Sequence, residues 1–221
     1  MTVSVVFPAH NEADTIAASV KAAWALPGVV QVIVVDDGSS DNTATLARAG
    51  GAEVVSLSAN VGKAQALRLG VEAACADVVL TLDADLGESV GEASRLLAAV
   101  HSGAADLAIA TFPKQAHRGG FGLVVGLARW GIRHLTGRQM QAPLSGQRAC
   151  RRQALSELGD LGRGWQVEVR MTIQALRRGL TVVEVETQMS HRPTGRRLRD
   201  FWHRGGQFVG VVQALWNCWH S

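Results

Sequence analysis

Five short runs rich in Val, Ile and Leu, "VSVVF", "QVIVV", "AEVVSL", "DVVLTL" and "DLAIAT", recur through the first half of the chain. The stretches between them are rich in Ala and Leu and are predicted as helices over 13–26, 43–48, 62–74 and 89–101. Strands with one wet face alternate apolar and polar residues, and these runs do not, so helices must cover both of their faces. Strand and helix in alternation specify an α/β fold: a Rossmann-like, mainly parallel sheet with helices on both sides. Such sheets bind ligands outside the carboxyl ends of their strands. Four loops rich in polar groups fall there: "PAHNE" after the first strand, "DDGSSDNT" after the second, "NVGK" after the third and "DADLG" after the fourth.

The second half differs. "PKQAHRGGFG" is a basic, Gly-rich loop, and a helix is predicted over 123–135. "APLSGQRACRR" reads as a turn into a short strand, "GWQVEVRMTIQALRRG" as a helix closed by Gly179, and "LTVVEVETQM" as a strand ending at His191. From Pro193 the chain is basic and aromatic.

The formal net charge is +3, and the basic excess lies after Arg148, which calls for an anionic partner such as a phosphorylated substrate, a membrane surface or nucleic acid. Three cysteines, far apart and without C-x-x-C spacing, specify neither a disulfide framework nor a zinc site, and fit a reducing compartment. The N-terminus lacks the basic and apolar regions of a signal peptide. No run reaches the roughly 18 apolar residues of a spanning helix. The chain is therefore expected in the cytoplasm, free or peripheral on a membrane.

"VVLTLDADL" ends a buried strand on two like charges, Asp83 and Asp85. A lone D-x-D is a weak pattern, and a solvated turn accounts for it. Residues i and i+2 of an extended chain point the same way, however, so both carboxylates can converge on one hard divalent ion completed by water and substrate phosphates. Asp37 in "VVDDGSSDNT" is either turn and cap chemistry or a carboxylate that accepts hydrogen bonds from a base or ribose. Lys63 opens a helix, where its charge and the helix dipole both favour phosphate.

Taken in order and at these intervals, "VVFPAHNEADTI", "VIVVDDGSSDNT", "NVGKAQAL" and "LTLDADL" resemble the nucleotide-sugar half of family 2 type glycosyltransferases with the GT-A fold. The second half, "APLSGQRACRRQAL", "GWQVEVRMTIQALRRGL" and "MSHRPTGR", is similar in layout to bacterial glucosyl-3-phosphoglycerate synthases. The resemblance implies one GT-A domain over 1–221, with a donor half at 1–111, a smaller acceptor-side extension at 112–193 and a basic aromatic tail at 194–221. It implies that Pro8, Ala9, Asn11, Glu12, Asp37, Lys63, Asp83 and Ala84 meet a nucleotide-sugar, with UDP-glucose as the expected donor. Asp85 and His191, with Asp83, would hold Mg²⁺ or Mn²⁺, and Glu168 and Asp85 would act at the reacting sugar. Ser145, Gly146, Arg148 and Arg192 would receive a phosphorylated acceptor such as 3-phosphoglycerate. The sequence departs from that group at Pro193, where an Asn helps hold the phosphoglycerate. A second resemblance, to dolichol-phosphate mannose synthase, implies a polyprenyl phosphate acceptor at a membrane surface.

Several residues keep two readings. His191 is a strand-end histidine or a metal ligand. Glu168 is a helix-surface charge, or faces the cleft to hold an acceptor hydroxyl or steady positive charge on the anomeric carbon. In a retaining enzyme it would be the stabiliser, and in an inverting one the base. Arg148, Arg151 and Arg152 form a solvated edge or bind an acceptor phosphate. The tail, 196–219, lies in a membrane interface, packs back onto the domain or forms a homodimer face. A sugar nucleotidyltransferase is disfavoured, because "PAHNEAD" replaces the Gly-rich basic loop expected after its first strand. Nucleic acid is not expected as a partner, because two carboxylate clusters at adjacent strand ends repel its phosphates.

Overall fold

The computed structural model describes residues 1–112, 121–158, 166–190 and 199–219, with 121 and 199–208 given by backbone alone. Its strands are β1 (Val3–Ala9), β2 (Val29–Asp36), β3 (Glu53–Ser56), β4 (Val78–Thr81), β5 (Leu107–Thr111), β6 (Arg148–Arg151) and β7 (Val182–Glu186). They form one seven-stranded sheet in the order β3-β2-β1-β4-β6-β5-β7. β6 runs antiparallel to both β4 and β5, and the other pairings are parallel.

The helices are α1 (Ile16–Trp24), α2 (Thr43–Ala49), α3 (Lys63–Ala73), α4 (Ser94–His101), α5 (Phe121–Thr136), α6 (Arg152–Glu157), α7 (Val167–Arg177) and α8 (Arg199–Trp219). Side chains alternate across a strand, so Val5 and Val6 enter different cores. Val5, Phe7, Val34 and Leu80 pack with Ile16, Val20, Leu96 and Leu97 from α1 and α4. Val6, Ile33, Val35 and Val79 pack with Ala66, Ile132, Ile173 and Leu215 from α3, α5, α7 and α8. Each side chain of this size stabilises by about 1.5–3 kcal/mol when fully removed from water, which makes the two cores the main support of the sheet edge that carries the loops.

Three elements differ from the sequence reading. α1 starts at Ile16 rather than near 13, because the carbonyl of Glu12 accepts from the amides of Thr15 and Ile16 and turns the chain first. The helix expected over 89–101 is α4 alone, preceded by a 3-10 segment over Ala84–Ala93 that Gly87 breaks with φ of 54°. β7, expected to reach His191, ends at Glu186. Its partner β5 ends at Thr111, whose carbonyl takes the last bond, from the Thr187 amide.

The tail packs back. Val211, Ala214, Leu215 and Cys218 of α8 are buried. A Cβ at Gly131 of α5 would lie 2.2 Å from Leu215 Cδ2, so the two helices meet where only glycine leaves room. No helix among the described residues is long and apolar enough to cross a membrane.

Candidate active site

The carboxyl ends of β1, β2 and β4 bring the polar loops together. Asp37 is buried, and its two carboxylate oxygens accept from the amides of Val61 (2.7 Å) and Gly62 (2.9 Å). The carboxylate expected to meet a base or ribose also organises the "NVGK" turn, each oxygen holding one backbone amide. Asn11 adopts φ of 57°, and its side-chain oxygen accepts from the Ser40 amide at 2.8 Å, tying the first loop to the second. The Glu12 amide donates to Thr43 Oγ1 at 2.8 Å, which joins the first loop to α2. Pro8 is half-buried on β1 and Ala9 is buried beside it.

Fixing the "NVGK" turn places Lys63 at the first position of α3, and its ammonium donates to Asp83 Oδ1 at 2.5 Å. The other oxygen of Asp83 accepts from Gln147 Nε2 at 2.6 Å. Partial burial works against the Lys63 charge, and attraction by Asp83, then Glu168 and Asp85, outweighs it, so its pKa stands above the ordinary lysine value. Gly146 closes this corner: a Cβ there would lie 3.0 Å from Lys63 Nζ and 3.4 Å from Asp83 Oδ1. Its carbonyl accepts from Thr81 Oγ1 at 2.9 Å. Ala84, next to Asp83, is buried, and its carbonyl accepts from Ser19 Oγ of α1.

Glu168 lies in the first turn of α7, where the helix dipole favours an anion, and is almost fully buried. It acts on both Lys63 and Arg148. Arg148 is buried, with bonds to the Ser145 carbonyl (2.7 Å), Thr172 Oγ1 (3.0 Å) and the Pro143 carbonyl (3.1 Å). Burial lowers its pKa to about 10 against the attraction of Glu168. The arginine expected to meet an acceptor phosphate thus clamps the 143–145 turn onto α7. Ser145, also expected at the acceptor, is buried and donates to Gln147 Oε1 at 3.1 Å. His191 and Arg192 lie outside the described residues.

Sequence reasoning missed Gln147, because its partner is 64 positions away. The antiparallel register, Thr81 opposite Arg148, is what carries the residue before Arg148 towards Asp83. Behind Glu168 a cavity of about 430 Å³ opens between α3, α6 and α7, lined by Leu67, Val71, Leu155, Val167 and Met171 among others.

The donor set fits a hard divalent ion. Three carboxylates, Asp83, Asp85 and Glu168, act on Lys63, and Glu168 also acts on Arg148, so the corner offers hard oxygen donors. No group of three or more ligating side chains occurs among the described residues. Mg²⁺ and Mn²⁺ do not need one, since one or two carboxylates with water and phosphate oxygens complete their coordination.

Comparison with known proteins agrees with this arrangement. An uncharacterized glycosyltransferase of Mycobacterium tuberculosis is 31% identical over 98% of this chain and 96% of its own. Glycosyltransferase AglJ of Haloferax volcanii is 31% identical over 87% of this chain and 64% of its own. The crystal structure of glucosyl-3-phosphoglycerate synthase from Mycobacterium tuberculosis with Mn²⁺, UDP-glucose and phosphoglyceric acid superposes with a TM-score of 0.78. It is 30% identical, over 98% of this chain and 79% of that one. The same enzyme with Mg²⁺ and UDP superposes equally well, at 0.78 and 28% identity, over 97% of this chain and 79% of that one. Residues 4–158 match the model of glycosyl transferase family 2. With the GT-A fold and this carboxylate-rich strand edge, the chain is a glycosyltransferase and belongs to glycosyl transferase family 2.

Proposed function

We propose that the chain transfers glucose from UDP-glucose to a hydroxyl of a phosphorylated acceptor, with 3-phosphoglycerate as the leading candidate. The observation that carries this reading is the Lys63–Asp83 contact at the sheet's carboxyl edge, with Asp85 and Glu168 close enough to act on the same ammonium. The likeness to an enzyme crystallised with Mn²⁺, UDP-glucose and phosphoglyceric acid supports it.

In this reading Asp85, Asp83 and His191 hold Mg²⁺ or Mn²⁺, which when bound neutralises charge on the leaving diphosphate. Lys63 adds a positive charge at the start of α3 for the same phosphates. Gln147 and Lys63 together fix both oxygens of Asp83, so the carboxylate is oriented before donor arrives. Pro8, Ala9, Asn11 and Glu12 shape the wall for the nucleotide, and Asp37 acts on it through the "NVGK" turn. Glu168 faces the reacting sugar: the bond from the anomeric carbon to the diphosphate breaks, a bond to the acceptor oxygen forms, and the hydroxyl proton passes to the departing diphosphate if configuration is retained or to Glu168 if it is inverted. Gly146, Ser145 and Arg148 set the acceptor-side turn, and Arg192 supplies charge for the acceptor phosphate.

The cavity behind Glu168 favours a second reading. Leu67, Val71, Leu155, Val167 and Met171 give it an apolar wall beside the charged Arg68, Glu72, Arg148 and Glu168, an arrangement that suits the chain and head of a polyprenyl phosphate. Release of UDP is measured with UDP-glucose, Mn²⁺ and either acceptor. Turnover on 3-phosphoglycerate is the expected result, turnover on polyprenyl phosphate alone selects the second reading, and turnover on neither refutes both.

A further inference from the structure

We propose that the face formed by α5 and α8 around Trp130, Trp216 and Trp219 docks onto the headgroup layer of an anionic lipid bilayer. These tryptophans are 59%, 66% and 56% exposed, and with Leu127, Val212 and Leu215 they line a shallow apolar groove of about 370 Å³. Large apolar groups gathered at one exposed site mark an interaction surface.

The rings of Trp130 and Trp219 are held in place before any partner arrives. His134 lies between Trp130 and Trp219, with ring centroids 5.4 Å and 5.0 Å apart and planes within 16° and 9° of parallel. A platform fixed in this way loses little side-chain entropy on docking. Tryptophan, with an apolar body and one N–H donor, is suited to the boundary between headgroups and acyl chains.

Charge decides the occupant. No Asp or Glu occurs between Asp106 and Glu157, nor in 209–219, so nothing acidic from α5 or from the described face of α8 offsets the cations there. Arg129 and Arg133 flank Trp130 on the exposed side of α5, and Arg138 is exposed just beyond its end. A second copy related by a two-fold axis would set this patch against itself and bring arginines to arginines with no acid from α5 or from 209–219 between them. Anionic headgroups supply the missing charge, at about 1 kcal/mol for each basic residue near the surface, a factor of roughly five in partitioning.

The full chain is sedimented with vesicles of phosphatidylcholine alone or mixed with phosphatidylglycerol. Binding to the mixed vesicles, weakened by salt, is expected. Trp216→Ser with Trp219→Ser is expected to lower that partitioning at least about tenfold with thermal stability retained, and Arg133→Glu at least about fivefold. Vesicle binding is read without turnover, so failure of the proposed reaction leaves this result standing, and the reverse. Absence of binding to the mixed vesicles, or binding unchanged in the double tryptophan variant, overturns the proposal. So does a dimer of the wild-type chain in sedimentation velocity that the same variant abolishes.

Discussion

Asp37 gives the sharpest test of how the donor loops are built. Its carboxylate, 3% exposed, accepts from the amides of Val61 and Gly62 at 2.7 Å and 2.9 Å and so fixes the turn that delivers Lys63. Asp37→Ala leaves both amides without that acceptor. A hydrogen bond to a charged group contributes about 1.5–3 kcal/mol, so losing two costs about 3 kcal/mol at the lower end, which suits a turn that can partly reach water. For a chain of this length that is a fall in Tm of roughly 6–12 °C. Asp37→Asn keeps one acceptor and turns an N–H towards the second amide, so it should lie between Asp37→Ala and the native chain. Urea unfolding gives the stability, and the donor KM gives the placement of Lys63, which should worsen in step with stability across the two variants. A Tm within about 1 °C of the native value for Asp37→Ala, with the donor KM unchanged, would refute the assignment of Asp37 to the turn.

Gly146→Ala introduces a Cβ 3.0 Å from Lys63 Nζ, so the lysine end must give by a few tenths of an ångström and its pairing with Asp83 is disturbed. Its stability should change little while turnover falls severalfold, and unchanged turnover would mean that the pair tolerates displacement. Burial pushes the Cys150 thiol up to about 12 and also raises that of Cys218, whereas Cys75 is exposed. Alkylation of the native protein at mildly alkaline pH should therefore label Cys75 alone by mass spectrometry, and labelling of Cys150 before unfolding would contradict the packing of β6. Asp41 is held below the usual carboxylate value of 3.8: burial opposes its charge, and bonds from the Thr43 hydroxyl and from the Thr43 and Ala13 amides prevail. Asp77 is lowered by bonds from the Thr2 amide and hydroxyl. A carboxyl with a depressed folded pKa stabilises above its unfolded value and loses that contribution as pH falls through the folded one. The urea midpoint should therefore decline below about pH 4, and a midpoint that rises there would contradict both contacts.

The parallel half of the sheet was legible because strands covered on both faces must be continuous apolar runs, and "QVIVV" and "DVVLTL" are such runs. The direction of β6 was not, since four residues of strand carry no mark of parallel or antiparallel pairing. That direction matters for the site, because it alone brings Gln147 to Asp83 from 64 positions away. Asp83, Asp85 and Lys63 could be placed at the site from local pattern, since each follows directly from a strand end or a helix start. The backbone bonds of Asp37 and Arg148 are not legible, because a strand-end carboxylate and a lone arginine look alike in sequence whether they face a ligand, the backbone or both. The loop geometry supplies those partners: paired amides at residues 61 and 62 for Asp37, and carbonyls at 143 and 145 for Arg148.

The central claim, that the Asp83–Asp85 edge is the metal-dependent donor site, is tested most directly by titrating UDP-glucose calorimetrically into the native chain and into Asp85→Ala, each with and without Mn²⁺. Tight binding is expected only for the native chain with Mn²⁺, with loss of the Mn²⁺ effect in Asp85→Ala and its thermal stability retained. Equal, Mn²⁺-enhanced binding by both proteins would contradict the claim.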